Sequence, residues 1–125
     1  MNVVDSSGWL EYFADGPNAR FFEPPVMKTD ELVVPTISLY EVFKRVHQER
    51  GEEPALQAVA LMQQGLVIDL TPVLALAAAH VSLEERIPMA DSIMLATARA
   101  YGAVLWSQDA DFEQVSGVKY VARKP

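Results

Sequence analysis

The sequence predicts an α/β fold built on a mostly parallel sheet, and three observations lead there. Short runs of Val, Leu and Ile alternate along the chain with stretches of helical periodicity, which is the mark of βαβ units. The helical stretches open and close on capping and breaking residues. Acidic residues fall just after the apolar runs, where open α/β sheets hold their ligands.

The first strand is expected over Asn2 to Asp5. Ser6-Ser7-Gly8 follows, and its hydroxyls suit a helix N-cap before Trp9, Leu10 and Phe13, a helix that Asp15-Gly16-Pro17-Asn18 stops. A short amphipathic piece from Ala19 to Phe22 meets Pro24-Pro25. Leu32-Val33-Val34 is the second strand, ended by Pro35. Thr36 or Ser38 then caps a helix whose buried side carries Ile37, Tyr40, Val42, Phe43 and Val46, ending near Arg50-Gly51. Pro54 falls in the first turn of the next helix, which shows Leu56, Val59, Ala60 and Met62 and closes at Gly65. Leu66-Val67-Ile68 is the third strand. Thr71 caps a helix with Pro72 at its first position, and its Ala-rich run from Leu74 to Val81 suggests close packing on the sheet. After Pro88 a helix with Ile93, Leu95, Ala96 and Ala98 inside ends at Tyr101-Gly102. Ala103 to Trp106 and Val118 to Val121 are the last strands.

The chain of 125 residues reads as one domain, 1–125, and its 50% hydrophobic content is enough for a real core. Its longest apolar stretch, Thr71 to Val81, is too short and Ala-rich to span a bilayer, and Met1 leads into Val3-Val4-Asp5 without a basic region. The expectation is a cytoplasmic protein with no membrane partner. With no Cys, disulfides and thiolate metal sites are excluded. The net charge of −7 argues at face value against a polyanionic partner. Lys44, Arg45, Arg50, Lys119, Arg123 and Lys124 supply some positive surface, yet each taken singly reads as a solvated face.

Five carboxylates carry the chemistry. Asp5 closes the run Val3-Val4, Glu41 lies one turn into the helix after the second strand, Asp91 opens a helix, and Asp109 and Asp111 follow Val104-Leu105-Trp106. If the strands are parallel, all five project from one edge of the sheet. Two carboxylates about 5 Å apart at an effective dielectric near 20 repel by roughly 3 kcal/mol. Relief comes from protonation or from a divalent metal. All-oxygen ligands without Cys or a nearby His select Mg²⁺ or Mn²⁺. Setting the five acids aside leaves a net charge of only −2.

Each acid also has a plainer reading. Asp5 could cap the first helix, Ser38-x-x-Glu41 has the form of a capping box, Asp91 sits where the helix macrodipole favours a negative charge, and Asp109-Ala110-Asp111 could be a turn. Five such roles would not by themselves collect the acids at one sheet edge.

The segments Asn2-Val3-Val4-Asp5-Ser6-Ser7, Ile37 to Val42, Ala90 to Ala98 and Leu105 to Phe112 resemble the four signature blocks of PIN-domain ribonucleases. Within that family, size and spacing are most similar to the VapC toxins of prokaryotic toxin–antitoxin modules, and the resemblance runs from Met1 to about Val121. It implies a three-layer α/β/α fold, a metal-dependent endoribonuclease, a homodimer and a small antitoxin partner. By position, Asp5, Glu41, Asp91 and Asp109 match the family's acidic quartet, and Ser107 stands where Thr is usual. Asp111 would add a metal ligand through water. The implied chemistry is metal-assisted hydrolysis of RNA by water, leaving a 5′-phosphate and a 3′-hydroxyl. No histidine base is required, and His47 and His80 read as ordinary helix residues.

Two rival readings remain. A receiver-like domain would use Asp69 as phosphoacceptor, with Lys124-Pro125 as its Lys-Pro pair, but it needs a paired acid after the first strand and a helix after the Lys. A catalytically silent PIN fold used only for binding is the second.

Overall fold

The computed structural model describes residues 1–125. Five strands and six α-helices follow one another, the helices in pairs between strands: β1 Asn2–Val4, α1 Ser6–Phe13, α2 Ala19–Met27, β2 Val33–Pro35, α3 Thr36–Arg50, α4 Glu52–Met62, β3 Leu66–Ile68, α5 Pro72–Glu85, α6 Met89–Ala100, β4 Val104–Ser107 and β5 Val118–Tyr120. Two 3₁₀ turns, Thr29–Glu31 and Ala110–Phe112, precede β2 and follow β4.

Every strand pairing is parallel. β1 pairs with β4 (Val3 opposite Leu105) and β4 with β5, β2 pairs with β3, and a bridge from Asn2 to Leu32 joins the two groups. The spatial order is therefore β3-β2-β1-β4-β5, with β1 at the centre. Since side chains alternate across a strand, Val3, Val33 and Leu105 face one way and Val4, Val34 and Trp106 the other. The first set packs with Met94, Leu95 and Phe112 under α5 and α6. The second packs with Trp9, Phe22, Val42 and Met62 under α1 to α4. Strands buried on both faces read as continuous apolar runs, and the three-layer α/β/α architecture follows.

Several expectations need correction. Helix α2 continues through Pro24 and Pro25 to Met27. Each proline removes one helix donor, but a continuous helix keeps Phe22 and Val26, one turn apart, both in the core. On α3 the expected inner side holds, with Val42 and Val46 buried and Ile37 and Phe43 packed against the core, except that Tyr40 is exposed. On α4 Met62 is buried as expected, but Leu56 and Ala60 are exposed and Ala55 and Ala58 take the inner positions. Neither Thr36 nor Ser38 caps α3, which starts after Pro35 without a side-chain cap. The Ser38 hydroxyl is fully buried with no partner, so the capping box with Glu41 does not form. Helix α5 packs chiefly on α6, not on the sheet, and buries only Leu74, Ala78 and Val81. Thr71 does cap it, accepting from the Leu74 N–H at 3.2 Å.

Candidate metal centre

Because the strands are parallel, their carboxyl ends share one edge, and a cleft of about 610 Å³ opens there. Asp5, Glu41, Asp91 and Asp109 all line it. The sheet thus gathers the four acids that are far apart in sequence.

Asp5 leaves the central strand and is the N-cap of α1, accepting from the Gly8 N–H at 2.8 Å. A Cβ at Gly8 would lie 2.7 Å from Phe22 Cδ1 and 2.8 Å from Val4 Cγ1, so only glycine lets α1 start this close to the sheet. The Ser7 hydroxyl reaches Asp5 Oδ1 at 2.8 Å, and the Ser107 hydroxyl reaches Oδ2 at 2.5 Å. Only 2% of Asp5 is exposed. Burial pushes its carboxyl up to about 6, against the pull of the Ser107, Gly8 and Ser7 hydrogen bonds and with a further push from the Asp109 charge.

Glu41 lies on α3, where its Oε1 accepts from the Ser6 hydroxyl at 2.7 Å. Ser6 and Ser7, expected to cap α1, instead direct their hydroxyls to two of the acids, and the cap falls to Asp5. Asp91 is in the first turn of α6, where the macrodipole favours the carboxylate. Burial outweighs that field, and the charges of Asp109 and Asp5 and a hydrogen bond with Asp111 add to it, so the group rises to about 7.

Asp109 caps the turn Ala110–Phe112, its Oδ1 accepting the Asp111 N–H at 2.9 Å, and the fully buried Phe112 pins that turn to the core. Asp91, Asp109 and Asp111 each offer an oxygen within 4.8 Å of the others. Asp111, expected to act only through water, therefore stands as near as Asp91 and Asp109. Three hard oxygens at this spacing, one of them on Asp91, whose ionisation its neighbours oppose, could hold a divalent cation that prefers oxygen ligands.

The sequence reading passed over the amides of Gln108 and Asn18, both nearly inaccessible. The Gln108 Nε2 donates to the Ser7 carbonyl at 3.3 Å, and its Oε1 accepts from Asn18 Nδ2 at 3.0 Å. The available signal was position alone, since Gln108 sits between Ser107 and Asp109. His47 and His80 are exposed on helices, as expected. Asp69 is exposed beyond the edge strand β3 and lies outside the acidic cleft, which removes the main support for a receiver-like reading.

The fold and this edge define a parallel α/β domain with a cluster of acids at the carboxyl ends of its strands. The chain belongs to the PIN domain family, whose pattern its sequence matches over residues 3–118. Its backbone is similar to VapC20 of Mycobacterium tuberculosis, described as a sarcin–ricin loop cleaving toxin, with a TM-score of 0.79 at 19% identity over 95% of this chain and 98% of that one. It is likewise similar to a chain of a toxin–antitoxin complex from Klebsiella pneumoniae, with a TM-score of 0.78, 18% identity and coverage of 94% and 95%. The DNA-bound VapBC of Salmonella typhimurium gives 0.73 at 17% identity, with 98% of both chains covered. No curated protein is similar to the chain by sequence.

Proposed function

We propose that this chain is a Mg²⁺- or Mn²⁺-dependent endoribonuclease and the toxin of a type II toxin–antitoxin module, acting in the cytoplasm as a homodimer of 1–125 domains. The observation that carries the reading is the convergence of Asp91, Asp109 and Asp111 within 4.8 Å beside the buried Asp5. Catalytic and metal-holding roles fall to Asp5, Glu41, Asp91 and Asp109, with Asp111 as a further ligand and Ser107 in support.

A divalent ion held by these acids would supply positive charge to the scissile phosphate and lower the pKa of a nearby water. The chain's own part is orientation and proton balance. Ser107, Ser7 and the Gly8 N–H fix the Asp5 carboxylate from three sides, and Ser6 fixes Glu41, so neither has to reorganise when the centre loads. Asp91, pushed up to about 7, exchanges its proton near neutral pH and can release it as a cation arrives. The toxin assignment and the antitoxin partner draw support from neighbours that are described as toxin–antitoxin complexes.

Incubation of the purified protein with structured RNA, including a sarcin–ricin loop hairpin, and Mg²⁺ should give fragments bearing a 5′-phosphate and a 3′-hydroxyl. EDTA, Asp5→Asn and Asp91→Asn should each abolish the cleavage. Cleavage that persists in both variants, or that never appears with metal, would sink the enzyme reading.

A further inference from the structure

The cleft poses an electrostatic problem that the metal centre leaves open. Asp5, Glu11, Glu41, Glu49, Asp91 and Asp109 all line it, and an RNA chain brings a negative charge with every nucleotide. Its cations are Arg45, Arg50 and Arg123. Arg45 is occupied, with its Nε 2.6 Å from Glu49 Oε1. Lys119, which sequence alone grouped with Arg123, lies 4.4 Å from the centre of the Trp106 ring. Arg50 and Arg123 form no ion pair, the chain's only two being Arg45–Glu49 and Arg99–Glu85.

Arg123 stands in a segment that has no regular structure, and such a segment beyond a strand holds no fixed place unless something ties it down. Here it is tied. The Val121 N–H donates to the Ser107 carbonyl at 3.0 Å, and the Asn18 Nδ2 donates to the Ala122 carbonyl at 3.0 Å. Asn18 is only 3% exposed and is itself held on all sides. Its N–H donates to Glu11 Oε2 at 2.6 Å, and its Nδ2 also reaches Gln108 Oε1. A Cβ at Gly16 would fall 2.6 Å from Glu11 Oε2, so the glycine makes room for that carboxylate. One closed network of buried amides thus joins Gln108, the neighbour of Asp109, to the residue just before Arg123.

We infer that Arg123, fixed at the cleft by the Asn18–Ala122 hydrogen bond, binds an RNA phosphate next to the scissile one. The inference rests on the nuclease reading above and adds a substrate contact outside the acidic centre. A guanidinium suits the task because it stays charged beside carboxylates and grips phosphate with two parallel N–H bonds. Asn18 is then a positioning residue that acts through the backbone of Ala122.

The test is steady-state cleavage of a fluorescent RNA in Mg²⁺ across a salt series. Arg123 is exposed, so Arg123→Ala should fold normally, raise KM about tenfold and leave kcat nearly unchanged. It should also flatten the dependence of log(kcat/KM) on log[salt] by about 0.7, the loss of one phosphate contact on a single strand. Arg123→Lys should restore part of the KM and all of the salt slope. Asn18→Ala should reproduce the KM effect with Arg123 present, and the double variant should be no worse than the single. An Arg123→Ala enzyme with unchanged KM and salt slope would overturn this inference and leave the nuclease reading standing. Absence of metal-dependent cleavage by the unaltered protein would remove both.

Discussion

The Ser107 hydroxyl donates to Asp5 Oδ2 at 2.5 Å and at the same time accepts the Asp109 N–H at 2.9 Å. A single buried hydroxyl on β4 therefore orients the acid that follows β1 and sets the start of the turn that carries Asp109 and Asp111. Ser107 is 0% exposed, so no water replaces it there.

Replacing it tests that linkage. Ser107→Ala leaves the part-buried Asp109 N–H and a buried Asp5 oxygen each short of a partner, at a cost of about 1–3 kcal/mol. Loss of a hydrogen bond that orients a metal ligand typically lowers metal affinity or activity about 10- to 100-fold. The expected result is a fall in RNA cleavage of that size with a higher Mg²⁺ requirement, while Ser107→Thr, which keeps the hydroxyl, stays within a few-fold of the parent. Equal activity in Ser107→Ala would show that Asp5 needs no orientation from β4.

The acids also set a pH dependence whose sign can be worked out. Asp5 and Asp91 rise from 3.8 to about 6 and about 7. Between pH 3.8 and 7 the folded protein holds protons that the unfolded chain has released, so stability falls as pH rises and levels off above about 7. In EDTA the thermal midpoint should be higher at pH 5 than at pH 8. Asp91→Asn should raise the midpoint at pH 8 and reduce the difference between the two conditions, which separates this effect from the general relief of negative charge. Added Mg²⁺ should stabilise the unaltered protein more at pH 8 than at pH 5, because cation and proton compete for the same oxygens. A midpoint at pH 8 that Asp91→Asn does not raise would contradict the assigned strain.

The elements that place the site were legible because they are governed by local rules. Val3-Val4 and Val104-Leu105-Trp106 are apolar on both faces, as parallel buried strands must be, and the acids after them follow from strand direction. What sequence could not reveal is pairing at a distance. Ser6 and Glu41 are 35 positions apart, and Asn18 and Gln108 are 90 apart. No periodicity encodes such bonds. The exposure of Tyr40 and Leu56 has a similar cause, since both are apolar enough to join a core and only tertiary packing decides which helical positions reach it. Helix α2 crossed its prolines because tertiary burial of Phe22 and Val26 outweighs two missing donors.

That same mismatch between apolar character and burial marks the outer side of α5. Val73, Leu76 and Leu83 are 78%, 70% and 80% exposed, and their spacing of three and seven residues aligns them on one helical face. Apolar residues gathered on one face of an exposed helix mark a contact surface and are costly to leave in water. The proposed homodimer would cover this face, burying about 800 Å² per copy if it is of ordinary size. Leu76→Glu with Leu83→Glu places two charges on that face without touching the core residues Leu74, Ala78 and Val81. Sedimentation velocity should then show the unaltered protein as a dimer and the double variant as a folded monomer. The acids lie on the sheet edge and not on α5, so the monomer should still bind Mg²⁺. A double variant that sediments as a dimer would place the interface on another face of the chain.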